Sequence, residues 1–219
     1  MENFILAVLT LPGVFRGEAD QLEGLLEAGV DRLHLRKPAV EQVELEGLVR
    51  RLAPRWSERL VMHGGRELAL RYGIRRVHGS VDLREGSGRS GGGPFVDGAS
   101  EGGSGEGLAG GDAAGLVLST SVHDWEEFGL LPEGLAYAFV SPLFDSISKA
   151  GYMGNAGLLN IPSGELPCLP VGLGGVNAET LGEMLRMGWK GAAVLGWIWD
   201  EPELAVRRFE QLKKIIDES

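Results

Sequence analysis

The sequence predicts a (β/α)8 TIM barrel, read as one domain spanning residues 1–219, and three observations carry that prediction. Eight short apolar runs alternate with stretches whose apolar residues recur at helical spacing. The last two runs, 168–173 and 191–195, each meet a glycine turn, Gly174-Gly175 and Leu195-Gly196. The length of 219 residues, 43% hydrophobic and 24% charged, suits one barrel with a real core. A flavodoxin-like open sheet is the competing architecture, but it needs fewer strands than this chain offers.

Taken in order, residues 4–9 read as a buried strand and 20–29 as a helix turning Leu22, Leu25 and Leu26 inward. Residues 32–35 give a second strand, and 41–52 a helix with Leu45, Leu48, Val49 and Leu52 on one face. A third strand at 60–63, a short helix at 66–72 ending at Gly73, and a fourth strand at 76–78 follow. The pattern then stops. Residues 84–115 are dominated by Gly, Ser and acidic side chains, too few apolar groups to offset the entropy of ordering. A flexible Gly-rich loop is expected there, in place of the fourth helix, with at most a weak turn at 106–114. A tolerated surface insertion is the simpler reading of it, and a functional lid the sharper one.

Alternation resumes with a strand at 116–119, a helix at 124–128 and a strand at 137–141, then a polar loop at 142–155 and a weak helical piece. Beyond Gly174-Gly175, Asn177 stands as a helix N-cap, Leu181, Met184 and Leu185 form one apolar face, and Gly188 ends the helix. The last helix, 203–217, presents Ala205, Phe209, Leu212 and Ile216 inward with Pro202 near its start.

A formal net charge of -10 argues against nucleic acid, whose phosphates demand a basic footprint. An anionic small molecule stays open, since a local site can be positive on an acidic protein. The single cysteine, Cys168, excludes an internal disulfide framework and reads as a packed side chain. The apolar stretch 4–14 is too short to span a bilayer, is broken by Pro12 and Gly13, and lacks a basic leader. The expectation is a soluble, cytoplasmic protein.

In a barrel, function lies just after the strands. Those positions offer His34, Arg36, His63, His78, Ser121, His123, Ser141, Ser146, Ser148 and Lys149. All four histidines of the chain fall at or near strand ends, and imidazoles titrating near neutral pH suit acid–base work. His34 and His78 are equally what a barrel interior would hold as hydrogen-bonded core rings. No close ligand pair of the H-x-x-x-H kind and no thiolate joins the histidines, which argues against a metal. Glycine turns after the last two strands let backbone N–H groups approach an anion. Arg36 and Lys149, with Lys37 also able to serve, are cations placed to meet it.

As a set, these residues resemble the thiamine phosphate synthase/TenI superfamily. Leu33-His34-Leu35-Arg36 is similar to the synthase pattern L-Q-L-R-E-K and closer to the TenI-like I-H-I-R. Ser121-Val122-His123-Asp124 resembles the TenI segment S-V-H-S, and residues 139–149 resemble the G-P-V-F-x-T-x-T-K loop with Lys149 retained. Residues 171–177 and 192–198 resemble the two phosphate-binding turns, while the Gly-rich segment has no counterpart. His34-Leu35-Arg36-Lys37-Pro38 with residues 141–149 resembles a divergent subgroup usually labelled as the synthase.

The resemblance implies a barrel and one of two chemistries. A synthase joins a pyrimidine pyrophosphate to a thiazole phosphate with Mg²⁺. A TenI-like tautomerase shifts a proton on a thiazole carboxylate phosphate and needs no cofactor. His63-Gly64 replaces the synthase Asn-Asp pair, and Pro38 stands where the synthases carry a pyrophosphate-gripping lysine, which tilts the expectation toward the tautomerase. On that reading His123 is the acid/base, His34 orients or shares the proton, and Arg36 and Lys149 hold anionic groups. His63, Ser121, Ser146 and Ser148 line the substrate, and Gly174, Gly175, Leu195 and Gly196 cradle its phosphate. Asp82 is the candidate Mg²⁺ ligand if the synthase reading holds. A barrel that binds the phosphate ligand without catalysis is a third reading, and a homodimer is the default assembly.

Overall fold

The computed structural model describes residues 4–81, 95–97, 107–108, 115–145 and 153–219, with 95–97 and 107–108 described by backbone alone. Eight strands pair in parallel and close on themselves: β1 (Ile5–Leu9), β2 (Arg32–Leu35), β3 (Leu60–His63), β4 (Arg76–Val81), β7 (Val117–Val122), β8 (Leu135–Val140), β9 (Leu169–Leu173) and β10 (Gly191–Val194). β10 returns to β1 through the register Ile5↔Gly191 to Val8↔Val194, completing the predicted barrel. Between β4 and β7 run two short strands, β5 (Phe95–Asp97) and β6 (Gly107–Leu108). They extend β4 as an antiparallel meander, with Val81↔Phe95 and Phe95↔Leu108 opposed.

Within the segment 84–115, expected as a flexible loop in place of the fourth helix, residues 95–97 and 107–108 form these two short strands. Phe95 and Val96 are apolar positions in a polar segment, and β4 runs on to Val81, past the expected end at His78, giving them an edge to pair with. The remaining residues of the Gly-rich segment, and with them its expected flexibility, lie outside the described residues.

The helices are α1 (Glu18–Ala28), α2 (Gln42–Trp56), α3 (Arg66–Arg71), α4 (Trp125–Gly129), α5 (Ala178–Arg186), α6 (Gly196–Trp199) and α7 (Ala205–Asp217). Their inward faces are those the spacing predicts, with Leu22, Leu25, Leu26, Leu181, Met184, Phe209 and Leu212 all buried. α2 runs past the expected end at Leu52 and carries Pro54 within its final turns. Asn177 caps α5 as predicted, accepting from the Glu179 and Thr180 amides at 2.8 and 3.0 Å, while Thr180 answers with its hydroxyl. After β8, the weak helical piece expected beyond the polar loop is, among the described residues, a 3-10 turn, Ala156–Leu159.

Alternate strand residues face the helices or the lumen. Leu6, Val8, Leu33, Leu35, Leu60, Met62, Val77, Ala138, Val140, Ala192 and Val194 join the helices in one large core. Ala7, Leu9, Tyr137, Phe139, Val171 and Ala193 form a separate cluster inside the barrel. Among the described residues no helix is long and apolar enough to cross a membrane.

Candidate functional site

The C-terminal end of the barrel gathers side chains that stand far apart in the sequence. His34 on β2 is fully buried. Its Nδ1 lies 2.8 Å from Nε2 of His63 on β3, and its Nε2 lies 2.7 Å from the Tyr137 hydroxyl on β8. β2 and β8 are not neighbours in the sheet, so the Tyr137 contact crosses the lumen. His78 on β4 stacks on His63 with ring centroids 4.2 Å apart. Its two nitrogens meet the Ser119 and Ser121 hydroxyls of β7, each at 3.0 Å. Phe139 closes the cluster from the far wall, 4.8 Å from His34 and 5.0 Å from His78 by ring centroids.

Burial keeps these rings neutral. The imidazole of His34 is held well below its usual range by desolvation and the nearness of His78 and Arg32. His63 is lowered in the same direction by burial, the other two rings and Arg36. His78 falls to about 3 through burial and the Arg36 charge. The Tyr137 phenol is pushed up to about 12, also by burial. The cluster is therefore uncharged at neutral pH, with hydroxyls and neutral rings sharing protons among themselves.

His123 occupies a different position. It is exposed, one residue beyond β7, and its Nδ1 lies 2.9 Å from the Ser141 carbonyl at the end of β8. A carbonyl only accepts, so Nδ1 carries a proton, and Nε2 is the nitrogen that can exchange one. The backbone is fixed as well: the His123 amide donates to Glu127 at 2.8 Å, and the Asp124 carboxylate caps α4 by accepting from Glu127 N at 2.7 Å.

The glycine turn after β9 has a packing reason of its own. Gly174 and Gly175 take φ of 99° and 65°, in the left-handed region. A Cβ on Gly175 would stand 2.6 Å from Phe144 Cβ and also strike the Asp145 carbonyl, because residues 143–144 hydrogen-bond onto Leu173 and Gly174. Only glycine lets that loop lie so close. Asn177 takes up two first-turn amides of α5, which leaves fewer donors for an anion than a bare helix start would offer. Leu195 and Gly196 lead from β10 into α6, whose Trp199 indole donates to the Leu9 carbonyl at 2.6 Å and ties this corner to β1.

Several expectations change. His34 and His78 lie within strands, not beyond them, and His34 reaches the mouth only through His63. Lys37 is not free to meet an anion. Its ammonium is buried and donates to Leu11 O at 2.9 Å, Gly13 O at 2.6 Å and Glu18 at 2.5 Å, a partner for every proton. Burial pushes the Glu18 carboxyl up and the Lys37 ammonium down, so the pair serves to pin the loops after β1 and β2. Arg36 does stand exposed after β2, close enough for its charge to weigh on His63 and His78. Ser121 is exposed at the end of β7. Asp82, Ser146, Ser148 and Lys149 lie outside the described residues. The sequence reading singles out Ser119 with Ser121 but misses Tyr137, which alternation along β8 turns to the same side as Phe139.

No protein-family model and no curated protein matches the chain. Solved structures do. Thiamine phosphate pyrophosphorylase from Bacteroides thetaiotaomicron is similar with a TM-score of 0.69 and 25% identity, over 97% of this chain and 98% of that one. The enzyme of the same name from Pyrococcus furiosus gives 0.71 at 19% identity, over 99% and 97%. These likenesses support the thiamine phosphate synthase/TenI superfamily assignment. (S)-3-O-geranylgeranylglyceryl phosphate synthase from Thermoplasma acidophilum, at 0.62 and 13% identity over 99% and 94%, shares the fold.

Proposed function

We propose that this chain is a thiamine-pathway enzyme that binds a thiazole phosphate and moves a proton on it, as TenI-like tautomerases do. The observation that carries the reading is His123: its Nδ1 is spoken for by Ser141 and its Nε2 is left as a base at the rim of the barrel. Nε2 removes a proton from one atom of the heterocycle, and the same imidazolium returns it at another, so no atom is gained or lost. His63, backed by His34 and Tyr137, offers a second imidazole to share that proton. Arg36 and Lys149 hold the anionic groups, Ser121 meets the heterocycle, and the turns at Gly174-Gly175 and Leu195-Gly196 receive the phosphate.

His123→Ala is expected to lower tautomerase turnover by about 10²–10⁴-fold with thiazole phosphate binding retained. Unchanged turnover would overturn the assignment. A second reading rests on the solved neighbours, which carry the pyrophosphorylase name. Under it the protein forms thiamine phosphate from a pyrimidine pyrophosphate and a thiazole phosphate, with Asp82 among the Mg²⁺ ligands. Mg²⁺ would stabilise the leaving pyrophosphate as charge separates. Mg²⁺-dependent thiamine phosphate formation by the purified protein would establish that reading and displace the tautomerase.

A further inference from the structure

The sequence argues against a metal because no two histidines stand a helical turn apart. The fold supplies what the local sequence lacks. β2, β3 and β4 are consecutive in the sheet and bring His34, His63 and His78 together, with one nitrogen of each within 4.8 Å of the others. We propose that these three imidazoles form a nitrogen-only site for a divalent ion of the Zn²⁺ type, with its fourth coordination position open toward the barrel mouth.

Three features support the site. Zn–N bonds of about 2.0–2.1 Å in a tetrahedron put ligand nitrogens roughly 3.4 Å apart. His34 Nδ1 and His63 Nε2 stand at 2.8 Å, so they need separate only slightly, and a nitrogen of His78, whose ring stacks on His63, lies within 4.8 Å of the ligand atoms of both. The rings are also steered from behind, as metal-binding imidazoles are. Tyr137 meets the other nitrogen of His34, and Ser119 meets Nδ1 of His78, leaving its Nε2 to exchange Ser121 for the ion. The ion would replace the proton now shared between His34 and His63. His34 then carries its proton on Nε2 and donates it to the Tyr137 oxygen, so no proton need leave the pair.

The donor set also decides the kind of ion. Three imidazoles without a carboxylate suit Zn²⁺, Co²⁺ or Ni²⁺ and not the hard, oxygen-seeking Mg²⁺. His63, the partly exposed member, opens the site to the mouth, and the nearby Arg36 charge favours an anion at the fourth position. The inference does not rest on the thiazole reading, but it assigns His34 and His63 to the ion, so that in the metal-bound protein His123 alone would move the proton.

The test is Co²⁺ titration of untagged, chelator-stripped protein, followed by Zn²⁺ competition. The expected result is saturation at one equivalent, with the visible d–d absorption of tetrahedral Co²⁺ displaced by Zn²⁺ and not by Mg²⁺. His63→Gln and His78→Gln should each weaken binding by at least about 100-fold, and Tyr137→Phe by about 10-fold. His63→Gln is the safest of these for folding, to be confirmed by circular dichroism. Cys168→Ser and His123→Gln should leave binding unchanged. No saturable binding, displacement by equimolar Mg²⁺, or binding unaltered in folded His63→Gln would each overturn the site.

Discussion

The two halves of the barrel lumen are built on opposite principles. On β8, β9, β10 and β1 the lumen is filled by Phe139, Val171, Ala193, Ala7 and Leu9, with Leu169, Leu173 and Leu195 packed against them. On β2, β3, β4 and β7 the same layers hold His34, His63, His78, Ser119 and Ser121. The apolar half gains from burial that is non-directional and needs only the right volume. The polar half is stable only while each buried nitrogen and hydroxyl keeps a partner. Tyr137 belongs to both, with its ring in the apolar cluster and its hydroxyl on His34. One half therefore holds the barrel shut, and the other holds reactive groups in fixed directions at its mouth.

Removing the largest apolar wall is expected to have the greatest effect on stability. Phe139→Ala should cost about 3–5 kcal/mol in denaturant unfolding, through lost burial plus the cavity left behind. A loss below that of an ordinary surface change would mean the apolar half is not what closes the barrel.

Acid comes next, acting on the polar half alone. In the folded, metal-free chain His34, His63 and His78 are kept neutral, while in the unfolded chain each protonates near its usual 6.5. The unfolded state therefore binds more protons as the pH drops. The stability that the neutral rings allow is complete above about pH 6.5 and declines toward about 3, where His78 titrates. The decline is about 1.4 kcal/mol per pH unit for each ring. Arg36 and Arg32, facing the rings, add to it, and no carboxylate touches them among the described residues. Urea midpoints measured across this range in wild type and His78→Asn should show the shallower slope in the variant.

Tyr137→Phe keeps the ring and removes only the hydroxyl, so it separates the two roles of that residue. A loss of about 1–3 kcal/mol is expected from a buried His34 nitrogen left without its partner. A neutral result would show that the His34 contact carries no stability. The smallest effect is expected at the edge of the apolar half, where Asn177→Ala should cost about 1 kcal/mol by freeing the Glu179 and Thr180 amides. Differential unfolding of the two variants measures both on one scale.

Much of the scaffold was legible because its signals are local. Leu22, Leu25 and Leu26 announce one helix face, and Asn177 announces a cap through the next three residues alone. The Gly174-Gly175 turn was legible as a turn, but not the loop at residues 143–145 that makes glycine obligatory there. The polar Thr120 and Ser121 hide the length of β7 in the sequence; in the barrel the Ser121 hydroxyl is bonded by the His78 ring of β4, and the strand continues. In the sequence Lys37 is an unpaired cation; in the fold Glu18, at the start of the helix after a different strand, takes it.

By itself the sequence determined the barrel, since strand and helix periods and glycine turns act between residues a few positions apart. The tertiary structure alone decided the site. His34, His63 and His78 are separated by whole helices along the chain, and only the order of strands around the barrel makes them neighbours. Their neutral charge and shared protons follow from burial, a property that no stretch of sequence possesses until the barrel closes around it.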